Sequence, residues 1–201
     1  MRRPFLSVIA LLALAACVGP AAPPDNFHRI APVAVVSRFA QPPLPGVLEV
    51  DRLSADGALT ERAIAFSARD TGPLAHYKYD YWSDSPPVIL QDRLVDLLTR
   101  AGTADRVVTP DLRVLADWSL RGKVLKFEQM AGSSKIAIEI RLGVVSARDG
   151  KLVLLEDYSV ILPTESERVE TLAAAMDQGV SQIFTRFLAD LGRARNIPVS
   201  R

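Results

Sequence analysis

The sequence predicts a single α+β domain, a two-layer sandwich in which two main helices cover a mostly antiparallel sheet. Three observations carry this expectation. Apolar and polar residues alternate along several β-rich runs, two longer runs carry one apolar stripe at helical spacing, and turn signals separate them. A strand with one apolar face and a helix with one apolar stripe each need a second layer to bury against. Helices over a sheet are the simplest arrangement that satisfies both.

The chain begins with a leader. Arg2 and Arg3 precede an apolar run over residues 5–14, followed by Ala15, Ala16 and Cys17. A basic start and about ten apolar residues have the proportions of a secretory signal. The run is too short to cross a bilayer core, which takes about twenty helical residues. Leu14-Ala15-Ala16-Cys17 resembles the bacterial lipobox, which implies cleavage before Cys17 and acyl chains on that residue. Residues 1–16 are therefore expected to be a signal peptide, and residues 17–26 a lipidated cysteine with its tether. Val18 follows the cysteine where Asp would favour inner-membrane retention in enteric bacteria, so the expected anchor is the periplasmic face of the outer membrane.

Cys17 is the only cysteine, so no intramolecular disulfide exists and the core must hold the fold. Removing sixteen of 201 residues leaves 185, ample for one domain. Removal of Arg2 and Arg3 takes the formal charge from +1 to −1, which excludes an electrostatic footprint for nucleic acid.

The remaining elements follow in order. Residues 18–26 are Pro-rich and aperiodic, a tether of about 3.1 Å per residue where it is polyproline-like. The domain proper is expected over residues 27–201. Residues 30–36 read as a first strand and residues 41–46 as a second Pro-rich link. Strand-like runs at 47–53 and 60–68 flank the turn cluster Ser54-Ala55-Asp56-Gly57. Ser85 suits an N-cap and Pro86 the first turn of a helix striped by Leu90, Leu94, Leu97, Leu98 and Ala101, closing at Gly102. Runs at 116–130 and 134–147 flank Ala131-Gly132-Ser133, and 152–162 follows the hairpin signal Asp149-Gly150. In the second of these, Ile136, Ile138, Ile140, Leu142 and Val144 face one way, and Lys135, Glu139 and Arg141 the other. In the first, the apolar phase changes between Val124 and Leu125, and with Gly122 nearby this predicts a β-bulge. A capping box, Thr164 with Glu167, opens the last helix. Its stripe runs Val169, Leu172, Ala173, Met176, Val180, Ile183, Phe184, Phe187, Leu188 and Leu191, with Gly192 as the C′ residue.

Chemistry-bearing patterns are scarce. His28 and His76 stand apart, without ligand spacing to any Cys, Asp or Glu, and no nucleophile elbow, zinc-protease pair, phosphate loop or calcium loop occurs. No catalytic residue, cofactor or metal is expected beyond the acyl chains on Cys17, and the chain reads as a non-enzyme. Glu49 and Asp51 share a strand face but sit beside Arg52, as a solvated charged face would. Glu165, Glu167 and Glu170 complement a helix dipole. The feature that stands out is Tyr77, Tyr79 and Tyr81 alternating on one strand, followed by Trp82. Such rings are candidates for a partner or oligomer contact, and they equally suit the covering of one end of a core.

Several segments carry a family resemblance in the right order. They are Phe27-His28-Arg29-Ile30, residues 44–52 (LPGVLEVDR), and the aromatic strand from Tyr77 to Trp82. Then come Pro86-Pro87 opening a Leu-rich helix that ends at Ala101-Gly102, and residues 120–128 (LRGKVLKFE). Together they resemble the ABC-type transport auxiliary lipoprotein family, the PqiC/YmbA-like lipoproteins that accompany mammalian-cell-entry (MCE) systems. The sequence departs from the pattern at residues 29–41. The resemblance implies a non-enzymatic component of a lipid transport machine, docking an MCE-domain protein at the outer membrane, as a homo-oligomer, with phospholipid or a related molecule as cargo. It transfers one functional residue, Cys17. The alternative reading is a structural lipoprotein that supports an outer-membrane assembly independent of any transporter.

Overall fold

The computed structural model describes residues 22–33, 38–68, 72–196 and 199–200. The expected signal peptide, Cys17 and Val18 lie outside them. The strands β1 (Asn26–His28), β2 (Arg38–Phe39), β3 (Val47–Val50), β4 (Ser54–Ala55), β5 (Ala63–Ser67) and β6 (Leu74–Trp82) precede helix α1 (Pro86–Arg100). Then come β7 (Arg106–Val108), β8 (Trp118–Met130), β9 (Lys135–Ser146), β10 (Leu152–Pro163), helix α2 (Val169–Ala194) and β11 (Val199–Ser200).

The sheet is organised around β8. On one side β8, β9 and β10 form a long antiparallel meander. On the other, three short strands share the edge of β8 in turn, each parallel to it. β3 pairs at Leu48 with Trp118, β4 at Ser54 with Lys123, and β5 at Phe66 with Gln129. β7 extends the sheet beyond β3, β6 beyond β5, and β1 beyond β6. β2 and β11 form a separate two-stranded ribbon. The ladder is mostly antiparallel because the meander is so long, as the alternation predicts.

Both helices pack on the sheet as one continuous hydrophobic cluster. The α1 stripe is completely buried, with Leu90, Leu94, Leu97, Leu98 and Ala101 all at 0% exposure. Gly102 adopts φ +65° at its end, and the Thr103 N–H donates back to the Leu98 carbonyl at 3.1 Å, which closes the last turn. The α2 stripe is buried as the spacing requires, except for the partly buried Ala173. The alternating face of β9 lies beneath it: Ile136, Ile138, Ile140, Leu142 and Val144 are buried, whereas Lys135 and Arg141 are exposed.

Several local expectations are corrected. The first strand is Asn26–His28, not residues 30–36: residues 30–33 have no regular structure, and 34–36 lie outside the described residues. Ser54-Ala55 is a short strand, followed by a 3-10 turn from Gly57 to Thr60, and the runs on either side do not pair with each other. The bulge in β8 falls between Val124 and Lys126, at the phase change, whereas Gly122 is regularly paired with Leu142. Gly122 is small for another reason. A Cβ there would lie 2.4 Å from the Arg141 carbonyl oxygen. Ser85 is the N-cap of α1 but makes no side-chain capping bond. The box at Thr164 does not cap α2, which starts at Val169. The Thr164 hydroxyl bonds the Ser166 carbonyl, and Glu167 accepts the Gly132 N–H instead. Gly192 lies within α2, and Asn196, at φ +53°, is the left-handed residue just beyond it.

Candidate interaction surface

The first described residues are fastened to the sheet and the helices before the chain enters the core. β1 lies parallel to the end of β6, and the Asp80 carboxylate accepts bonds from Asn26 Nδ2 at 3.1 Å and His28 Nε2 at 3.2 Å. The next residues run across the helices. The Ala31 N–H donates to Asp177 Oδ1 of α2 at 2.8 Å, and Arg100 of α1 donates to the Val33 carbonyl at 2.8 Å. Ile30 and Val33 are buried between these ties. Clefts of about 550 and 630 Å³ flank the segment, the first against α1 and the second against α2. Burial pushes the Asp177 carboxyl above its ordinary value, and the Ala31 N–H and the Arg93 charge pull against that rise.

The aromatic strand does not present one face. Where β6 pairs with β5, the register jumps from Ala63 opposite Tyr81 to Ala65 opposite His76, so β6 holds extra residues between them. That irregularity turns the tyrosines apart. Tyr77 packs against the core cluster, with its ring 5.0 Å from that of Phe66 and its hydroxyl donating to Gln129 Oε1. Burial first, then the Glu167 and Asp80 charges, raises its pKa above the ordinary value. Tyr79 carries the Lys78 ammonium 5.2 Å from its ring centre. Tyr81 sits 5.7 Å from the ring of Phe27 and donates to the Lys78 carbonyl. Trp82 is a core residue, 1% exposed and 5.4 Å from the Phe127 ring, so its side chain is not at the surface.

What does reach the surface near the aromatic strand is Phe27, 59% exposed, with the Arg62 guanidinium over its ring and Tyr81 alongside. These groups border a shallow cavity of about 490 Å³. The residue pattern marked Tyr81 and the opening aromatic Phe27. It held no signal for the ties made by Asp80, Asp177 and Gln129, or for the reach of Arg100 to Val33, which join residues more than thirty positions apart along the chain.

Among the described residues, no group of three or more His, Cys, Asp and Glu side chains converges on a metal position. His28 faces Asp80, while His76 lies 3.9 Å from Glu61. Asp51 receives Ser119 Oγ and Arg121 Nε at 3.0 and 3.1 Å. None of the described helices is long and apolar enough to cross a membrane.

Fold and surface together define a class: an α+β sandwich with a firmly sewn-in N-terminal segment and exposed aromatic and apolar groups around its sheet. The chain belongs to the ABC-type transport auxiliary lipoprotein family, whose sequence model matches residues 30–187. It is thus an auxiliary lipoprotein component associated with a transport system of the cell envelope. Its fold is similar to that of protein XCC0632 from Xanthomonas campestris, at 24% identity and a TM-score of 0.71, covering 85% of this chain and 98% of that one. A second similar structure, an uncharacterized protein, has 13% identity and a TM-score of 0.66 over 84% of this chain and 99% of that one. No curated protein sequence matches the chain.

Proposed function

We propose that the chain is the outer-membrane-anchored, non-enzymatic auxiliary lipoprotein of an intermembrane lipid transport system built around an MCE-domain protein. The observation that carries this reading is the family match over residues 30–187, downstream of the lipobox-like stretch Leu14-Ala15-Ala16-Cys17. Acyl chains on Cys17 supply about 0.8 kcal/mol per buried methylene, and two or more of them anchor a domain stably. The sewn-in segment suits that role. A pull on the tether passes through Asp80, Asp177 and Arg100 into β6 and both helices. The domain docks the far end of the MCE assembly as a homo-oligomer, and the cargo is phospholipid or a related hydrophobic molecule.

The test combines crosslinking in intact envelopes, pull-down, and mass spectrometry of the mature N-terminus. The expected result is an acylated Cys17, a chain that fractionates with the outer membrane, and an MCE-domain protein as the captured partner. Cys17→Ser should leave the precursor uncut. An unmodified cysteine removes the anchoring. Capture of an outer-membrane assembly with no MCE protein returns the chain to the role of a structural lipoprotein.

A further inference from the structure

The cleft of about 550 Å³ between the segment at residues 29–32 and α1 is ringed by charges that the chain leaves unpaired. Its size is that of a small-molecule site. Ile30 and Ile89, 2% and 5% exposed, form an apolar floor. Around that floor stand Arg29, Asp84, Asp92 and Arg93. Asp92 and Arg93 follow Ile89 by three and four residues, so α1 presents all three on one face. None of the four charged groups forms an ion pair among the described residues. Asp84 accepts the neighbouring Ser85 N–H at 2.7 Å. Arg93 feels the Asp177 charge from α2 but makes no ion pair with it, and its Nε–H is buried with no acceptor among the described residues. Buried N–H groups are ordinarily met by an acceptor. Arg29 is held from both sides, because His28 is bonded to Asp80 and the Ala31 N–H to Asp177. A ligand therefore meets a wall that is already ordered, which lowers the cost of binding.

We propose that this cleft binds a zwitterionic headgroup, an amine and a phosphate joined as in glycerophosphoethanolamine. The phosphate meets Arg93 and Arg29, since guanidinium groups pair with phosphate oxygens through parallel N–H donors. The ammonium meets Asp92, with Asp84 beside it. Two charges of each sign decide against simpler ligands. A bare anion would also face two carboxylates, and a bare cation two guanidinium groups. The apolar floor suits the carbon atoms that an amphiphile carries behind its headgroup. The choice of phosphate over carboxylate as the anionic group rests on the lipid-transport reading above; the pairing of charges does not. The headgroup comes either free or on a lipid.

Equilibrium dialysis of glycerophosphoethanolamine against the full-length chain, purified from envelopes in an uncharged detergent, tests it. The wild type should bind saturably, and about tenfold or more tighter than it binds glycerol 3-phosphate. Arg93→Gln should weaken binding about tenfold or more, and Asp92→Asn should erase the preference over glycerol 3-phosphate. If Arg93→Gln melts lower than wild type, Arg29→Gln decides the matter, because that side chain is exposed. Competition by mixed micelles containing phosphatidylethanolamine assigns the site to the lipid, and binding that they leave unchanged assigns it to the soluble headgroup; both support the site. No saturable binding up to about 10 mM would overturn the proposal. So would equal affinity of the wild type for glycerol 3-phosphate, or binding that all three variants leave intact. A chain that fails these tests yet captures an MCE-domain protein keeps its transport role and loses only the cleft. One that passes them without capturing an MCE-domain protein keeps the cleft and loses that role.

Discussion

The two sides of β8 are held by different means. Toward β9 and β10 the chain folds back on itself through short turns, and each ladder runs for most of the strand's length. Toward β3, β4 and β5 each contact is only two or three residues long and joins segments about sixty to seventy residues apart. Specific side chains secure this second side. Asp117 accepts the Val47 N–H at 2.9 Å, Gln91 reaches the Val50 carbonyl at 2.8 Å, and Ser54 Oγ bonds the Gly122 carbonyl at 3.2 Å. Local hairpins form with little loop-closure cost, whereas brief parallel contacts across long loops need additional ties. The meander acts as a template, and the N-terminal half is assembled onto it.

If so, damage to the template should be the most severe. Ile138 is 1% exposed beneath α2, and Ile138→Asp places an unpaired carboxylate there at a cost of roughly 3 kcal/mol or more. Its neighbour Glu139 points the other way, and Glu139→Lys should stay within about 0.5 kcal/mol. Urea melts of the two variants check both statements. Similar midpoints would mean that the face of β9 carries no more load than its back.

A smaller effect is expected where the two sides meet. The Cβ of Gly122→Val would strike the Arg141 carbonyl oxygen at 2.4 Å and the Leu53 side chain at 2.9 Å. It should separate β8 from β9 and loosen β4 together, costing about 1–3 kcal/mol. Hydrogen exchange should show both regions opening. Protection lost in β9 alone would argue that the N-terminal half is held independently.

Smaller again is the change at the aromatic strand. Tyr77→Phe leaves the fully buried Gln129 without its donor and should cost about 1–2 kcal/mol by thermal melting. Tyr81→Phe loses only an exposed bond to Lys78 and should stay within about 0.5 kcal/mol. Equal losses would place both rings in the same environment.

The smallest expected effects are in pH dependence, and they have opposite signs in the two regions. Asp117 is held below its ordinary value by the Val47 N–H and then by Arg148. Its contribution is complete above the ordinary carboxylate range and is lost as pH falls through its lowered folded value. Asp177 is raised by burial, so its contribution is complete at low pH and is lost as pH rises through its raised folded value. Asp117→Asn should therefore flatten the acid limb of a melting-temperature profile, and Asp177→Asn should flatten the opposing slope while keeping an acceptor for Ala31. Matching changes in the two profiles would contradict the assignment.

Within the folded domain, the residue pattern alone determined whatever depends on near neighbours. Period-two alternation set the face of β9, helical spacing set both stripes, and Asp149-Gly150 set the turn into β10. Even the β8 bulge was marked by its phase change, although its glycine proved to serve a close approach instead. What depends on distant partners was decided only by the tertiary structure. Thr164 and Glu167 have a capping spacing, yet Ser166 and Gly132 claim their side chains and α2 begins later. Tyr77, Tyr79 and Tyr81 alternate, yet the pairing of β6 with β5 turns them apart. The strand near the N-terminus forms at Asn26–His28 because the edge of β6 and the Asp80 carboxylate are there to receive it. A periodic pattern states which side of an element avoids water. Which neighbour covers that side, and which donor meets which acceptor, follows from the closure of loops tens of residues long, and no local pattern records that.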